Sequence, residues 1–465
     1  MKTRSRAQMA KKERARMMGM EQGIQRTRRQ LFGGGTSLGG VALLAACGAQ
    51  GGSPAAGPTG GVLNQPASIV WLNWEGVGAS LDGNTKSVDA FKALYPQIKV
   101  ENAAQPSGGA TYWDKQAAMK AGGTPPDLWE WEPQHVVDNV LRKQVTDLQP
   151  LIARDKFDTT DFFSKGIEQY RYRNALWGLP RDFPNRELVY SVTAFQKEGI
   201  KLPAGDWKNN DWTWDAFLDA ARRLTKPDGP QFGFATGKGI RMWTPWIWSN
   251  GGEVIDEQKL ECVLDQPQAV EGLQFMQDLI HRHRVWPETL PQGATFQSGQ
   301  VAIQEAAPAG LGNFRREIGD KFVWDAVMHP RGKSGKYVAA GGGAGWAMDS
   351  ATKAKDAAWA LLKHITSSEQ QIQLCQLGGT IGSRRSVMTH ACFQQAPPKN
   401  VKLFIEGADY LHVDVRVAGW SEVLRIMDEE LKSLWNGSKP GRQVGIDMKA
   451  KIDPILKAEA QKAGA

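Results

Sequence analysis

The sequence predicts an α/β fold built on an open parallel sheet. Three observations carry the prediction. Apolar runs of strand length alternate with helical-period stretches from residue 67 onward, no tandem repeat is present, and no internal apolar run reaches membrane length. The 465 residues suffice for two or three domain-sized units. At 41% hydrophobic and 23% charged the chain sits near the soluble average, which excludes collagen-like and fully disordered readings. Its departures from average are 51 glycines and 18 tryptophans against 7 tyrosines.

SIVWLNW (68–74) is a continuous apolar run bounded by Pro66 and Gly76, as a strand buried on both faces requires. A helix over 84–95 follows, with Val88, Phe91, Leu94 and Tyr95 on one side and Pro96 ending it. IKVENA (98–103) reads as a second strand, 111–121 as a second helix and DLWEW (127–131) as a third strand after the Pro125-Pro126 corner, giving βαβαβ. Further helices are predicted over 214–225 with a Thr213 N-cap, over 269–280 after Pro267, and over 357–365. A last one runs over 421–437 from a Ser421 cap to a Gly437 stop.

Residues 1–46 hold ten Lys/Arg and two Glu, a net of +8 that equals the charge of the whole chain. The remainder is therefore near neutral and lacks the cationic excess of a phosphate-backbone binder, so no nucleic-acid partner is expected. A basic stretch, the twin arginines Arg28 and Arg29, and the weakly apolar run 33–46 resemble a twin-arginine export signal. Leu44-Ala45-Ala46-Cys47 resembles a lipobox with Cys47 as the lipidated residue. Residues 1–46 thus read as a lipoprotein signal peptide and 47–66 as a flexible Gly/Pro/Ala tether. The location expected is the cell membrane, by a lipid anchor, facing the periplasm or exterior. Cys262, Cys375 and Cys392 remain, which leaves open either one Cys375–Cys392 disulfide with Cys262 buried or three buried thiols.

No GxSxG, GxxxxGK[ST], HExxH or strand-following GxGxxG is present, and the seven histidines are scattered. The reading is not an enzyme, with no cofactor and no metal, although 49 acidic residues leave a pair of catalytic carboxylates open. Tryptophan stands out at strand ends and in loops: Trp74, Trp129 and Trp131, the trio Trp243, Trp246 and Trp248 in RMWTPWIWSNGG, and Trp346 after GGGAG. In open α/β sheets ligands bind beyond the carboxyl ends of strands, which places Trp74 and Trp131 toward a cleft. Such rings stack on apolar sugar faces while carboxylates and Arg bond hydroxyls.

The ordered series FKALYPQIKVE (91–101), AGGTPPDLWEW (121–131), ALWGLPRDFPNRELVYSVTAFQKEGI (175–200), DWTWDAFLDAARRLTK (211–226), WSNGGEVID (248–256), FQSGQVAI (296–303), GGGAGWAM (341–348) and GTIGSRRSV (379–387) resembles the family 1 extracellular solute-binding proteins, the sugar-binding components of ABC importers. The resemblance spans nearly all of 67–460. It implies a two-lobe periplasmic-binding-protein-like fold with hinge crossovers, 67–181 and 329–380 forming lobe one and 182–328 and 381–465 lobe two. It also implies an interlobe ligand cleft lined by Trp74, Glu75, Glu130, Trp131, Arg181, Asp182, Trp243, Trp246, Trp248, Gly342, Gly343, Trp346, Arg384 and Arg385. The partners implied are a mono- or oligosaccharide and ABC permease subunits, for a monomeric chain. A secreted glycoside hydrolase and a surface lectin-like protein are the rival readings. One departure from the family pattern is DFPNRELVYS (182–191), where Pro184 interrupts the first crossover.

Overall fold

The structure, a computed structural model, describes residues 63–106, 110–183, 185–208, 211–226, 229, 231–377 and 382–462. Cys47, Arg28 and Arg29 lie outside the described residues.

Two sheets organise the chain. In the first, β1 (Ala67–Asn73) pairs in parallel with β2 (Ile98–Ala104) and β3 (Leu128–Trp131). The chain later returns as β10 (Gly345–Met348), antiparallel between β3 and β4 (Gly178–Pro180), for the order β2-β1-β3-β10-β4. The second sheet has the order β8-β5-β7-β6, from β5 (Glu187–Ser191), β6 (Phe232–Ala235), β7 (Val301–Ala306) and β8 (Trp324–Val327). Here β6 and β7 run parallel and β5 opposes both β7 and β8. A short parallel pair, β9 (Ala339–Ala340) with β11 (Leu411–His412), lies on the return path.

Each sheet has its own apolar core. Ile69, Leu72, Leu128, Trp129, Leu179, Ala347 and Leu361 belong to the first and Val189, Phe234, Ile303, Val327, Met427 and Met448 to the second. Burying each large apolar side chain contributes about 1.5–3 kcal/mol, which is why β1 reads as a nearly unbroken apolar run rather than an alternating one, whereas β7 is apolar over Val301–Ile303 and then carries Gln304 and Glu305. The helices α1 (Gly78–Leu94), α2 (Ala110–Ala121), α6 (Lys355–Ile365) and α7 (Ser368–Gln376) accompany the first sheet. Helices α3 (Trp214–Leu224), α4 (Ile240–Ser249), α5 (Pro267–His281), α8 (Trp420–Trp435) and α9 (Gly441–Lys462) accompany the second.

The structure departs from the sequence expectation in four places. Both sheets are mixed rather than parallel, because β10 in the first and β5 in the second enter from chain crossing between the sheets and run antiparallel to their neighbours. Helix α1 begins at Gly78, six residues early, because its first turns contain two glycines and little apolar signal. RMWTPWIWS is not a loop but α4, which keeps Pro245 inside a helix because Trp243, Trp246 and Ile247 are all buried in the second core. Ser421 does not cap α8; Gly419, at φ +76°, precedes its first residue. Thr213 does cap α3, its hydroxyl accepting from the Ala216 N–H at 3.2 Å. Cys375 of α7 is joined to Cys392 by a disulfide, and Cys262 is a buried free thiol.

Candidate functional site

Strand direction makes one edge of each sheet face the other. The carboxyl ends of β1, β3 and β4 and the amino end of β10 share an edge of the first sheet. The carboxyl ends of β6, β7 and β8 and the amino end of β5 share an edge of the second. Residues 181–183 leave the edge of the first sheet and residues 185–186 enter that of the second, and residues 328–344 return. The two crossovers are stitched together: the Arg181 N–H donates to Ala344 O (2.9 Å), the Ala344 N–H to Asp182 Oδ1 (2.8 Å) and the Arg186 N–H to Ala340 O (3.0 Å).

On the first wall, Arg181 binds three carboxylates at once, those of Glu75, Glu130 and Asp182. Glu130 is fully buried and is placed by its neighbours: Tyr112 accepts from its N–H and donates to its carbonyl, and its Oε2 accepts from the Trp74 N–H at 3.0 Å. Trp74 is partly exposed at this edge, its ring edge-on to Tyr112 at 4.9 Å and tilted against Trp113 at 6.2 Å. An aromatic face beside a fixed array of carboxylates and guanidinium suits a ligand with an apolar face and a hydroxylated rim.

Arg241, at the start of α4, bridges the two sides. Its guanidinium donates to Glu132 Oε1 at 2.9 Å, Gln134 Oε1 at 3.3 Å and Asp414 Oδ2 at 3.2 Å. It passes so close to Gly342 that a Cβ there would lie 2.1 Å from Nε. Gly342 and Gly343 also adopt φ of +143° and +121°, a backbone that side chains disfavour.

The second wall gathers Asn185, Arg186, Glu187, Glu305, His329 and Thr236. Asn185, Glu187, Glu305 and His329 are buried, while Arg186 and Thr236 are partly exposed. Burial pushes the Glu305 carboxyl up to about 8, against the opposing pull of Arg186, and lowers His329 to about 3, with Arg186 adding to the effect. Near neutral pH both are therefore uncharged.

Of the residues nominated from sequence, Trp74, Glu75, Glu130, Arg181 and Asp182 come together on the first wall. Trp131 and Trp346 are buried beneath it, Trp131 stacked on Tyr170 at 5.7 Å and Trp346 edge-on to Trp71 at 5.1 Å. Trp243, Trp246 and Trp248 belong to the second core; Trp246 packs on Phe217 and Phe234, and Trp248 stacks on His412 at 4.1 Å. Arg384 is buried, donating from Nε to Thr366 O at 2.6 Å and lying over Phe162, while Arg385 is exposed over Phe163. Sequence reading passed over Arg241, Asn185, Arg186, Glu187, Glu305 and His329. Glu305 and His329 carry a signal that could have found them, an ionisable residue closing a strand run in VAIQEA and in AVMHP, whereas Glu130 was nominated through the family resemblance. Arg241 had none, since Glu132 and Asp414 lie 109 and 173 residues away. Among the described residues no group of three or more His, Cys, Asp and Glu side chains is arranged to hold a metal ion.

Residues 82–372 match the family of bacterial extracellular solute-binding proteins. The chain belongs to that family. A protein of Brucella abortus (strain 2308), described as a binding protein, is 24% identical to this solute-binding protein over 394 residues, covering 79% of this chain and 88% of the relative. Among solved structures, the ABC substrate-binding protein Lmo0181 of Listeria monocytogenes, in complex with cycloalternan, shares the fold with a TM-score of 0.75 at 19% identity, over 84% of this chain and all of the other. Maltose-bound MalE3 of T. maritima shares it with a TM-score of 0.72 at 23% identity and the same coverage of both chains. The two-lobe α/β architecture of this solute-binding protein is thus that of known binding receptors.

Proposed function

We propose that this solute-binding protein is the exported, lipid-anchored receptor of an ABC importer and binds a mono- or oligosaccharide between its lobes, with 67–181 and 329–380 as one lobe and 182–328 and 381–465 as the other. The observation that carries the reading is the first wall, where the partly open Trp74 ring stands beside the Glu75–Arg181–Glu130–Asp182 array at the edge facing the second sheet. The cycloalternan and maltose of the two structural relatives support the same ligand class. An anionic solute is less well served: Arg181 already holds three carboxylates and Arg384 is spent on Thr366 O and Asp161.

In this mechanism the open lobes capture the sugar, stacking and hydroxyl hydrogen bonds favour closure by hinge motion at the crossovers, and the closed form docks on a membrane permease. No bond is made or broken; partner subunits supply ATP hydrolysis. Trp fluorescence and thermal-shift titration of the purified chain against mono- and oligosaccharides test the reading. A saturable signal with a raised Tm is expected, since a sugar at 100 times its Kd adds about 2.7 kcal/mol to native stability. Flat responses to every sugar would overturn the carbohydrate class, and release of reducing ends from polysaccharide would favour a hydrolase instead. Trp74→Ala is expected to weaken sugar binding about tenfold, equivalent to about 1.4 kcal/mol, with Tm nearly unchanged.

Export and anchoring make a separate prediction. Replacing Arg28 and Arg29 by Lys is expected to leave the precursor in the cytoplasm, and Cys47→Ser to move the exported chain from the membrane to the soluble fraction. Fractionation and immunoblotting read both, and unchanged distributions would reject the twin-arginine and lipobox assignments respectively.

A further inference from the structure

The two walls differ in how closely their ionisable side chains are paired, although Trp131 Nε1, Trp346 Nε1 and Tyr170 Oη beneath the first wall also make no hydrogen bond among the described residues. On the first, Arg181 is in direct contact with all three of its carboxylates. On the second, the approaches of one side chain to another are long: Asn185 Nδ2 to Glu187 Oε1 is 3.5 Å, Thr236 Oγ1 to Glu305 Oε2 3.5 Å, Arg186 Nη1 to Glu305 Oε1 3.7 Å and His329 Nε2 to Glu305 Oε2 3.8 Å, while Glu187 Oε2 accepts from the His329 N–H at 3.1 Å. The spacings between side chains lie at or beyond the outer limit of a hydrogen bond. Asn185 Oδ1, Glu305 Oε1 and both ring nitrogens of His329 make no hydrogen bond among the described residues, although Asn185, Glu305 and His329 are 0%, 6% and 1% exposed. Buried polar atoms left unbonded are costly and uncommon, so four of them at one sheet edge call for a partner.

The chemistry of that partner follows from the groups. An uncharged carboxyl and a neutral imidazole each offer one donor with acceptor capacity, Asn185 Oδ1 accepts, and Arg186 donates. Hydroxyls, which donate and accept together, match this mixture. A phosphate or carboxylate would meet the acceptors of Asn185, Glu187 and Glu305. Arg186 and Thr236 are the partly exposed members of the cluster. We infer that Asn185, Arg186, Glu305 and His329 form a hydroxyl-recognising subsite on the second wall, taking a vicinal diol edge of an uncharged sugar and so fixing which epimer is accepted. The inference rests on the sugar-receptor reading above and adds the residues that set its specificity.

The test titrates the full chain calorimetrically with D-glucose, D-galactose, D-mannose, D-xylose, maltose, maltotriose, cellobiose, trehalose, sucrose and myo-inositol, then with monodeoxy analogues of the tightest binder. Glu305→Met and His329→Leu are expected to lower affinity at least tenfold while Tm stays level or rises, because each removes unbonded polar atoms at similar volume. One monodeoxy analogue should lose at least tenfold against the wild type and nothing further against Glu305→Met. Should the apolar variants fail to fold, Glu305→Gln keeps shape and hydrogen bonding. Wild-type affinity should then fall between pH 6 and pH 9, as Glu305 ionises beside Arg186, His329, Thr236 and Glu187, and that of Glu305→Gln should not. Folded variants within twofold of wild type for every analogue, or a wild-type affinity flat with pH, would overturn the subsite and leave the sugar reading standing. A wild type that binds none of the panel would overturn both.

Discussion

Arg181→Leu is expected to cost about 3–5 kcal/mol of stability at neutral pH, lowering Tm by roughly 5–10 °C. The size follows from what the substitution leaves behind. Glu130 and Asp182 are 0% and 4% exposed on their side chains and Glu75 15%, so three carboxylates lose their common counter-charge where water cannot replace it. Their mutual repulsion supplies a signature that simple loss of packing lacks. Burial holds the Glu130 carboxyl well above the usual carboxylate range, so its protonation on acidification relieves the repulsion, and the deficit relative to wild type should shrink when thermal unfolding is followed by circular dichroism at pH 4 instead of pH 7. Arg181→Lys keeps the charge but not the forked donor geometry, and should fall between the two. A Leu variant within about 1 °C of wild type at pH 7 would show that the array contributes no net stability.

Gly342→Ala is the second large effect, with an expected loss of about 2–4 kcal/mol and at least tenfold in sugar affinity. A new Cβ would lie 2.1 Å from Arg241 Nε, 2.5 Å from Cζ and 2.8 Å from Nη2, on a backbone at φ +143°. The guanidinium could swing away only by giving up Glu132, Gln134 and Asp414, and the strained φ alone costs on the order of 1–3 kcal/mol. On the proposed sugar-receptor reading, affinity falls with stability because Arg241 ties α4 to the segment after β3, beside the proposed binding site. Gly239→Ala is the control: it has no atom within 4 Å of its would-be Cβ and an ordinary φ of −69°, and should change neither Tm nor affinity.

The first three strands were readable nearly residue by residue, while β4 and the antiparallel β10 of the same sheet were not. The run 68–74, the helix stop at Pro96 and the Pro125-Pro126 corner leave few alternatives, and β1, β2 and β3 fall within one residue of expectation. Strand ends in a parallel sheet share one edge, which made Trp74 readable and also pointed to Trp131, which is buried; Glu130 and Arg181, beside Trp74, were legible only through the family resemblance. The tryptophans of α4 were harder. Pro245 reads as a helix breaker, and only the aromatic packing of Trp246 on Phe217, Phe234 and Phe275 shows that burial outweighs the lost hydrogen bond. The second wall and the Arg241 bridge depend on pairings between residues far apart in the chain, such as Glu187 with His329, which local pattern does not encode.

The place of β10 has a consequence for how the chain reaches its native state. This strand lies in the interior of the first sheet, with Trp346 opposite Glu130 on one side and Leu179 on the other. A nascent chain emerging from the ribosome therefore carries β1, β2, β3 and β4 without the strand that joins β3 to β4, and must make the entire second sheet before that strand appears. Folding cannot proceed lobe by lobe in order of synthesis. The long loop closure is expected to slow folding, with open strand edges exposed until residues 345–348 of the 465-residue chain have been made.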